Sequence, residues 1–316
     1  MNHSELIRKI KDLQSAKNAV IMAHYYQYSE IQDIADFVGD SLELAQRAVA
    51  TSADVIVLAG VSFMAETVKI LNPFKKVLLP DPQAGCSLAD SCPADEFESF
   101  VKAHPGYTVV TYVNTTASVK ALSDITCTSS NAVQIVESLP ENEKIIFGPD
   151  RNLGNYIKNL THRDMLVWNG ACHVHEEFSL EKILGLKKAH PDAKILAHPE
   201  CQRPILIVAD HIGSTAELLR YSITDKATGY IVATEPGILH RMQKESPHKL
   251  FIPAPPKDST CACNDCRYMK MVTLQKIYDC LHNESNEVIL DEELRIKAEK
   301  PVRRMLDFKI KHGVGI

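Results

Sequence analysis

Ala19-Val-Ile-Met-Ala23, running into His24-Tyr25-Tyr26, is a short apolar stretch that ends abruptly in hydrogen-bonding side chains. The same design occurs twice more. Thr108-Val-Val-Thr111 runs into Tyr112-Val113-Asn114, and Lys194-Ile-Leu-Ala197 into His198-Pro199-Glu200. Apolar runs of this length read as parallel strands buried on both faces. After each comes a helical pattern and then a hydroxyl cluster opening another helix: Gly39-Asp40-Ser41, Thr128-Ser129-Ser130 and Gly213-Ser214-Thr215. Asp40 with Glu43, and Ser214 with Glu217, have capping-box spacing. A further strand-like run follows (Val55-Ile-Val-Leu58, Ile145-Ile-Phe147, Tyr230-Ile-Val-Ala233), then a helix and a last short strand (Val77-Leu-Leu79, Leu166-Val-Trp168, Leu250-Phe-Ile252). Beyond each last strand stands a cysteine: Cys86, Cys172, and the cluster Cys261, Cys263, Cys266. The chain between hydroxyl cluster and cysteine is nearly equal in length in all three.

Such a threefold repeat predicts an α/β protein of three similar three-layer α/β/α units, with small parallel sheets around a pseudo-threefold axis and right-handed crossovers. The units are expected at residues 18–104, 105–190 and 191–265, preceded by a helix over 1–17 and closed by a helical segment over 266–316. In open parallel sheets ligands sit beyond the carboxyl ends of the strands, where all the polar stations lie. The three units would bring them to one central cavity.

Composition excludes other classes. Among 316 residues, 35 Lys+Arg stand against 40 Asp+Glu, so a net charge of −5 gives no global reason to bind nucleic acid or an anionic membrane. No apolar run approaches the ~18 residues of a membrane span, and Met1 to Gln14 carries no secretory pattern, so a cytoplasmic protein is expected. Nine cysteines in a reducing compartment read as thiols or ligands rather than a disulfide framework. No Gly-x-Gly-x-x-Gly or Gly-x₄-Gly-Lys-Ser/Thr loop is present.

One thiolate from each unit suits a metal centre with an open position better than a closed structural site, which takes four ligands. Cys261-Ala-Cys263-Asn-Asp-Cys266 alone could be half a zinc knuckle, though no second knuckle accompanies it. Cys92, Cys127, Cys201 and Cys280 read as small core residues. Residues i and i+2 of a strand share a face, which pairs His24 with Tyr26, Tyr112 with Asn114, and His198 with Glu200. Such groups transfer protons or donate to a developing oxyanion. Ser41, Ser129, Ser214 and Thr215 stand at helix starts, which bind anions or are simply capped. His175 is favoured over His173 as a substrate contact, with Glu176 and Glu177 expected in solvent.

Ala23-His24-Tyr25-Tyr26, Gly39-Asp40-Ser41-Leu42, Gly60-Val-Ser-Phe-Met-Ala-Glu-Thr67, Pro80-Asp81-Pro-Gln-Ala-Gly-Cys86-Ser-Leu-Ala-Asp90, Tyr112-Val-Asn114-Thr, Trp168-Asn-Gly-Ala-Cys172-His-Val-His175, His198-Pro-Glu200-Cys and Cys266-Arg-Tyr-Met269 closely resemble the quinolinate synthase family over nearly the whole length. The resemblance implies three α/β/α domains enclosing a [4Fe–4S] cluster with three cysteine ligands and one open iron. It implies condensation of iminoaspartate with dihydroxyacetone phosphate to quinolinate, phosphate and two waters in NAD biosynthesis, and a functional link to an enzyme that produces iminoaspartate. Carried over by position, Cys86, Cys172 and Cys266 are the cluster ligands. Cys263 remains a rival for the third place, because Arg267 stands where the family commonly has proline. Glu200, His198, Tyr26, Tyr112 and His24 match catalytic positions. Ser41, Asn114, Ser129, His175, Ser214 and Thr215 match substrate-binding ones, shared with His24, Tyr112, His198 and Glu200. The rival readings are another iron–sulfur hydro-lyase acting on a different carboxylic acid, and a non-catalytic iron–sulfur or zinc sensor.

Overall fold

The computed structural model describes residues 2–258 and 264–308; Cys261 and Cys263 lie outside them. Twelve strands among the described residues form three separate four-stranded sheets, parallel throughout. The first holds β1 (Ala19–His24), β2 (Phe37–Gly39), β3 (Val55–Ala59) and β4 (Lys76–Leu78). The second holds β5 (Thr108–Tyr112), β6 (Ile125–Cys127), β7 (Ile145–Gly148) and β8 (Met165–Val167). The third holds β9 (Lys194–Ala197), β10 (His211–Ile212), β11 (Gly229–Ala233) and β12 (Leu250–Pro253). Their orders are β2-β1-β3-β4, β6-β5-β7-β8 and β10-β9-β11-β12, one topology three times. Every residue of β3 and β11 is buried, as strands covered by helices on both faces require.

The edge strands β2, β6 and β10 fall outside the apolar runs read from the sequence. They are two or three residues long and pair on one side only, too short to show a period. An aspartate one residue ahead of each sets its register. Asp36 donates its N–H to the Ile21 carbonyl and accepts the Ile21 N–H on its carboxylate at 2.8 Å. Asp124 does the same with Val109 at 2.8 Å, and Asp210 with Ile195 at 2.8 Å. Asp210 is thus one third of a repeated clamp.

Helices cover both faces of each sheet. Helix His3–Ala16 and helix Leu274–Asn283 pack together over the outer face of the first sheet, burying Leu6, Ile10, Leu274, Ile277 and Leu281 with Ile21 and Val57. Helix Glu292–Leu306, unbroken through Pro301, lays Ala298, Val302 and Met305 into one apolar core shared by the first and second units. The third sheet packs into two further cores, one joined by Val174, Phe178 and Ile183 and the other by Tyr25. Cys92, Cys127, Cys201 and Cys280 are buried in the cores as expected. No helix among the described residues is long and apolar enough to cross a membrane.

Helix Arg151–Thr161 lies so close to the second sheet that a Cβ on Gly154 would sit 2.5 Å from Val167 Cγ1 and 2.9 Å from Phe147 Cδ1. Gly154→Ala therefore overpacks the interface by about 1–3 kcal/mol, more than offsetting the ~1 kcal/mol of helix propensity that alanine gains. The expected outcome is a lower denaturant midpoint with an unchanged slope; an unchanged or raised midpoint would show that the contact is slack.

Candidate active site

In a sheet of order 2-1-3-4 the chain leaves the first strand to opposite sides, and the crevice lies at the carboxyl ends of the first and third strands. Three such crevices open onto one cavity of about 710 Å³. From the first unit come His24, Tyr26, Ser41 and Cys86, and from the second Tyr112, Asn114, Ser129, Cys172 and His175. The third contributes His198, Glu200 and Thr215, and the segment after it Cys266. Of the residues expected from the sequence, Ser214 alone is absent from this wall. It is fully buried, caps helix Thr215–Thr224 through the Glu217 N–H, and lies 2.8 Å from Ser130 Oγ.

The paired positions i and i+2 are held by the same hydrogen bond in two units. The Tyr26 N–H donates to His24 Nδ1 at 3.2 Å, and the Glu200 N–H to His198 Nδ1 at 3.3 Å. A ring nitrogen that accepts leaves the proton on the other, so Nε2 of each histidine is the donor. His198 Nε2 reaches Ser129 Oγ at 3.2 Å, crossing between units.

A chain of hydrogen-bonding groups joins all three units. Tyr112 donates its hydroxyl to Glu200 Oε1 at 2.7 Å. Glu200 Oε2 lies 3.2 Å from His175 Nδ1, off the axis of a hydrogen bond. His175 Nε2 meets Thr234 Oγ1 at 3.0 Å, which meets the Tyr26 hydroxyl at 2.8 Å, and that hydroxyl meets Thr215 Oγ1 at 2.7 Å. Burial alone would raise the Glu200 carboxyl, but the imidazoles of His175 and His198 and the Tyr112 hydroxyl bring it down to about 2. Burial, with His198 and Lys270 adding to it, holds His24 at about 3; burial likewise holds His198 at about 3. At neutral pH the site thus holds a carboxylate base beside the neutral imidazoles of His24 and His198 and the neutral phenols of Tyr26 and Tyr112.

The three hydroxyl clusters meet on the axis, where Ser130 Oγ lies 2.8 Å from Ser214 Oγ and 3.3 Å from Asp40 Oδ2. Capping and binding are divided among neighbours. Asp40 and Ser214 close capping boxes on their helices, which satisfies the Leu42, Glu43 and Glu217 amides. Ser41, Ser129 and Thr215, one position away, face the cavity. Among the described residues no lysine or arginine lines it, so an anion there would meet hydroxyls, amides and imidazole N–H groups. Asn114 Oδ1 is buried without a partner, an acceptor left for a ligand.

Cys86 and Cys172 each precede a one-turn helix, Ser87–Asp90 and His173–Glu176, and Cys266 precedes the 3₁₀ turn Met269–Met271. Backbone amides of those turns face each sulfur. Burial pushes the Cys86 thiol up to about 12 and raises the other two, and each of the three sulfurs interacts electrostatically with another of the set. All three are free thiols. Buried thiols are unfavourable as anions by themselves, and a cation beside them, helped by the converging amides, makes the thiolate favourable, which is the environment thiolate-ligated metal requires. A second donor group overlaps this one, since Cys172, His175 and Glu200 offer ligand atoms within 4.8 Å of one another.

The sequence reading missed Thr234, Glu235 and Asp150. They stand just beyond β7 and β11, at Gly148-Pro149-Asp150 and Thr234-Glu235-Pro236, whose equivalence was the available signal. Glu176, expected in solvent, is held by Arg151, Asn152 and Gln202, which ties the second unit to the third; Glu177 is exposed.

Burial keeps His24 and His198 neutral to about pH 3, whereas an unfolded chain protonates its histidines near 6.5. Between those values the unfolded chain binds protons that the folded one refuses. Their contribution is fully present above pH 6.5 and is lost as pH falls toward 3, and Glu200 adds a loss below 4.5. The unfolding free energy of the metal-free protein is expected to fall on acidification from pH 6.5, and His24→Asn to flatten that fall by up to about 1.4 kcal/mol per pH unit. Identical slopes for both proteins would refute the neutral assignment.

The family model described as quinolinate synthetase A protein matches residues 8–307. A quinolinate synthase of Microcystis aeruginosa is 57% identical over 303 residues, covering 96% of this chain and 95% of the relative. Those of a Synechococcus species and of Chloroherpeton thalassium are 55% and 53% identical, over 96% and 97% of this chain and 95% of each relative. The chain therefore belongs to the quinolinate synthetase A family of enzymes.

Proposed function

We propose that this chain condenses iminoaspartate with dihydroxyacetone phosphate, releasing quinolinate, phosphate and two waters for NAD biosynthesis, in the cytoplasm and beside an enzyme that supplies iminoaspartate. The observation that carries the reading is the series of polar contacts Tyr112–Glu200–His175–Thr234–Tyr26–Thr215, hydrogen-bonded except for the 3.2 Å Glu200–His175 approach, together with three free thiols in the same cavity wall. We take the three units to divide near residues 104 and 190, with 266 onward closing them.

Atoms balance in this conversion without an external oxidant, so the protein's task is to bind anions and move protons. Cys86, Cys172 and Cys266 would hold a [4Fe–4S] cluster, which when bound supplies a Lewis acid able to polarise a hydroxyl or carboxylate and help water leave. Ser41, Ser129, Thr215 and the Nε2–H groups of His24 and His198 receive carboxylate and phosphate oxygens. The unpaired Asn114 Oδ1 accepts an N–H or O–H from the substrates. Glu200, ionised, takes the proton whose removal opens carbon–carbon bond formation, and Tyr112, bonded to it, turns to the oxygen on which negative charge develops. His175, Thr234 and Tyr26 relay protons to the other side of the cavity. A second reading, a single cation on Cys172, His175 and Glu200, draws on their close donor atoms.

Protein prepared without oxygen should bind about four irons and four sulfides per chain and form quinolinate from the two substrates. Zinc alone with no visible absorption would favour the single-cation reading. Glu200→Gln should keep the visible absorption while turnover falls by at least about 10²-fold; wild-type turnover would remove Glu200 from acid–base duty.

A further inference from the structure

The turn carrying Cys266 is held by a pair of charges that the reaction scheme leaves unused, one of which, Glu235, reaches the cavity wall. Glu235, two residues beyond β11 and fully buried, accepts the Cys266 N–H on Oε1 at 3.2 Å and the Gly237 N–H on Oε2 at 2.7 Å. Lys270 Nζ lies 2.8 Å from the same Oε1 and donates to the Tyr26 carbonyl at 2.6 Å. Gln27 Nε2 adds a bond to the Met269 carbonyl at 2.9 Å. The junction is tight: a Cβ on Gly237 would sit 2.7 Å from both Glu235 Oε2 and Tyr26 Cα. Two residues beyond β7, the equivalent station holds another fully buried acid, Asp150, which accepts the Leu153 N–H at 2.7 Å. Full burial and three recorded partners set the Glu235 arrangement apart from a chance surface pair.

We propose that Glu235 and Lys270 are positioning residues, a clasp that fixes the Cys266 turn on the third unit and fastens it to Tyr26 of the first, so that retention of the metal and placement of Tyr26 depend on one ion pair. Neither needs to touch substrate. A buried carboxylate with two amides and an ammonium is a directional anchor, because each of its oxygens has a different partner to lose. Glu235→Gln cannot reproduce it: one end of the amide is a donor and must oppose either the Gly237 N–H or the Cys266 N–H and Lys270.

The metal-retention part rests on the cluster reading above, and the experiment separates the two. In metal-free protein, alkylation of Cys266 by iodoacetamide should quicken in Glu235→Gln and Lys270→Met relative to alkylation of Cys172. In reconstituted enzyme, a ferrous chelator should bleach the visible absorption at least about tenfold faster in both variants, the size expected when a partner of a ligand is removed. The double variant should be no faster than the faster single one, since the pair acts as a unit. Gly154→Ala serves as a variant destabilised elsewhere. Parental rates in both clasp variants, or equal acceleration in Gly154→Ala, would overturn the clasp. Parental protein that takes up no iron would overturn the cluster reading while the alkylation rates still decide the clasp.

Discussion

A carboxylate buried at the meeting point of three sheets is the constraint on which the rest of this structure turns. Glu200 is 3% exposed, and removing an ionised carboxyl from water is costly unless charge or hydrogen bonds replace the lost solvation. Its partners come from elsewhere in the chain: Tyr112 from the second sheet, His175 from the turn after it, and His198 from its own strand end. The third unit can therefore hold its charge only when the second is docked against it. His198, neutral, contributes an aligned ring rather than an ion pair, so the anion's stabilisation is shared among dipoles and remains available for a proton.

Identical construction makes that docking reproducible. The aspartate clamps at 36, 124 and 210 and the shared strand order mean that each unit presents its polar groups from equivalent strand ends. The differences lie in what is presented. Where the first unit offers His24 and Tyr26, the second offers Tyr112 and Asn114 and the third His198 and Glu200, so a symmetric frame yields an asymmetric cavity. Helix starts show the same economy: one residue caps and its neighbour faces the ligand, which frees Ser41 and Thr215 from structural duty.

How much of this was legible depended on length and direction. The inner strands were readable because apolar runs bounded by polar residues are long enough to have a pattern, and the cysteine stations because they recur. Edge strands such as His211–Ile212 were not, since two residues carry no period and their place comes from a neighbouring strand. The direction of a hydroxyl is equally hidden: Ser214 and Thr215 are adjacent in sequence, yet one serves its helix and the other the cavity. Glu235 and Thr234 were hidden because polar residues directly after a buried run such as Gly229–Ala233 read as an ordinary strand end, and their partners Cys266, Lys270 and Tyr26 lie far away in sequence. Cys266 takes its place in the cavity wall, whereas Cys263 falls outside the described residues.

The shared apolar core beneath helix Glu292–Leu306 welds the first two units, whereas the cores of the third sheet take as buried members only Tyr25 from the first unit and Val174, Phe178 and Ile183 from the second. Its remaining joints with the others are polar: Tyr112 to Glu200, Ser129 to His198, Ser130 to Ser214, and Asp33 to His240 and Lys244. Water can replace partners of that kind, but it cannot replace hydrocarbon. The third sheet thus meets the fused pair across a seam that is wettable where it passes through the middle of the chemistry.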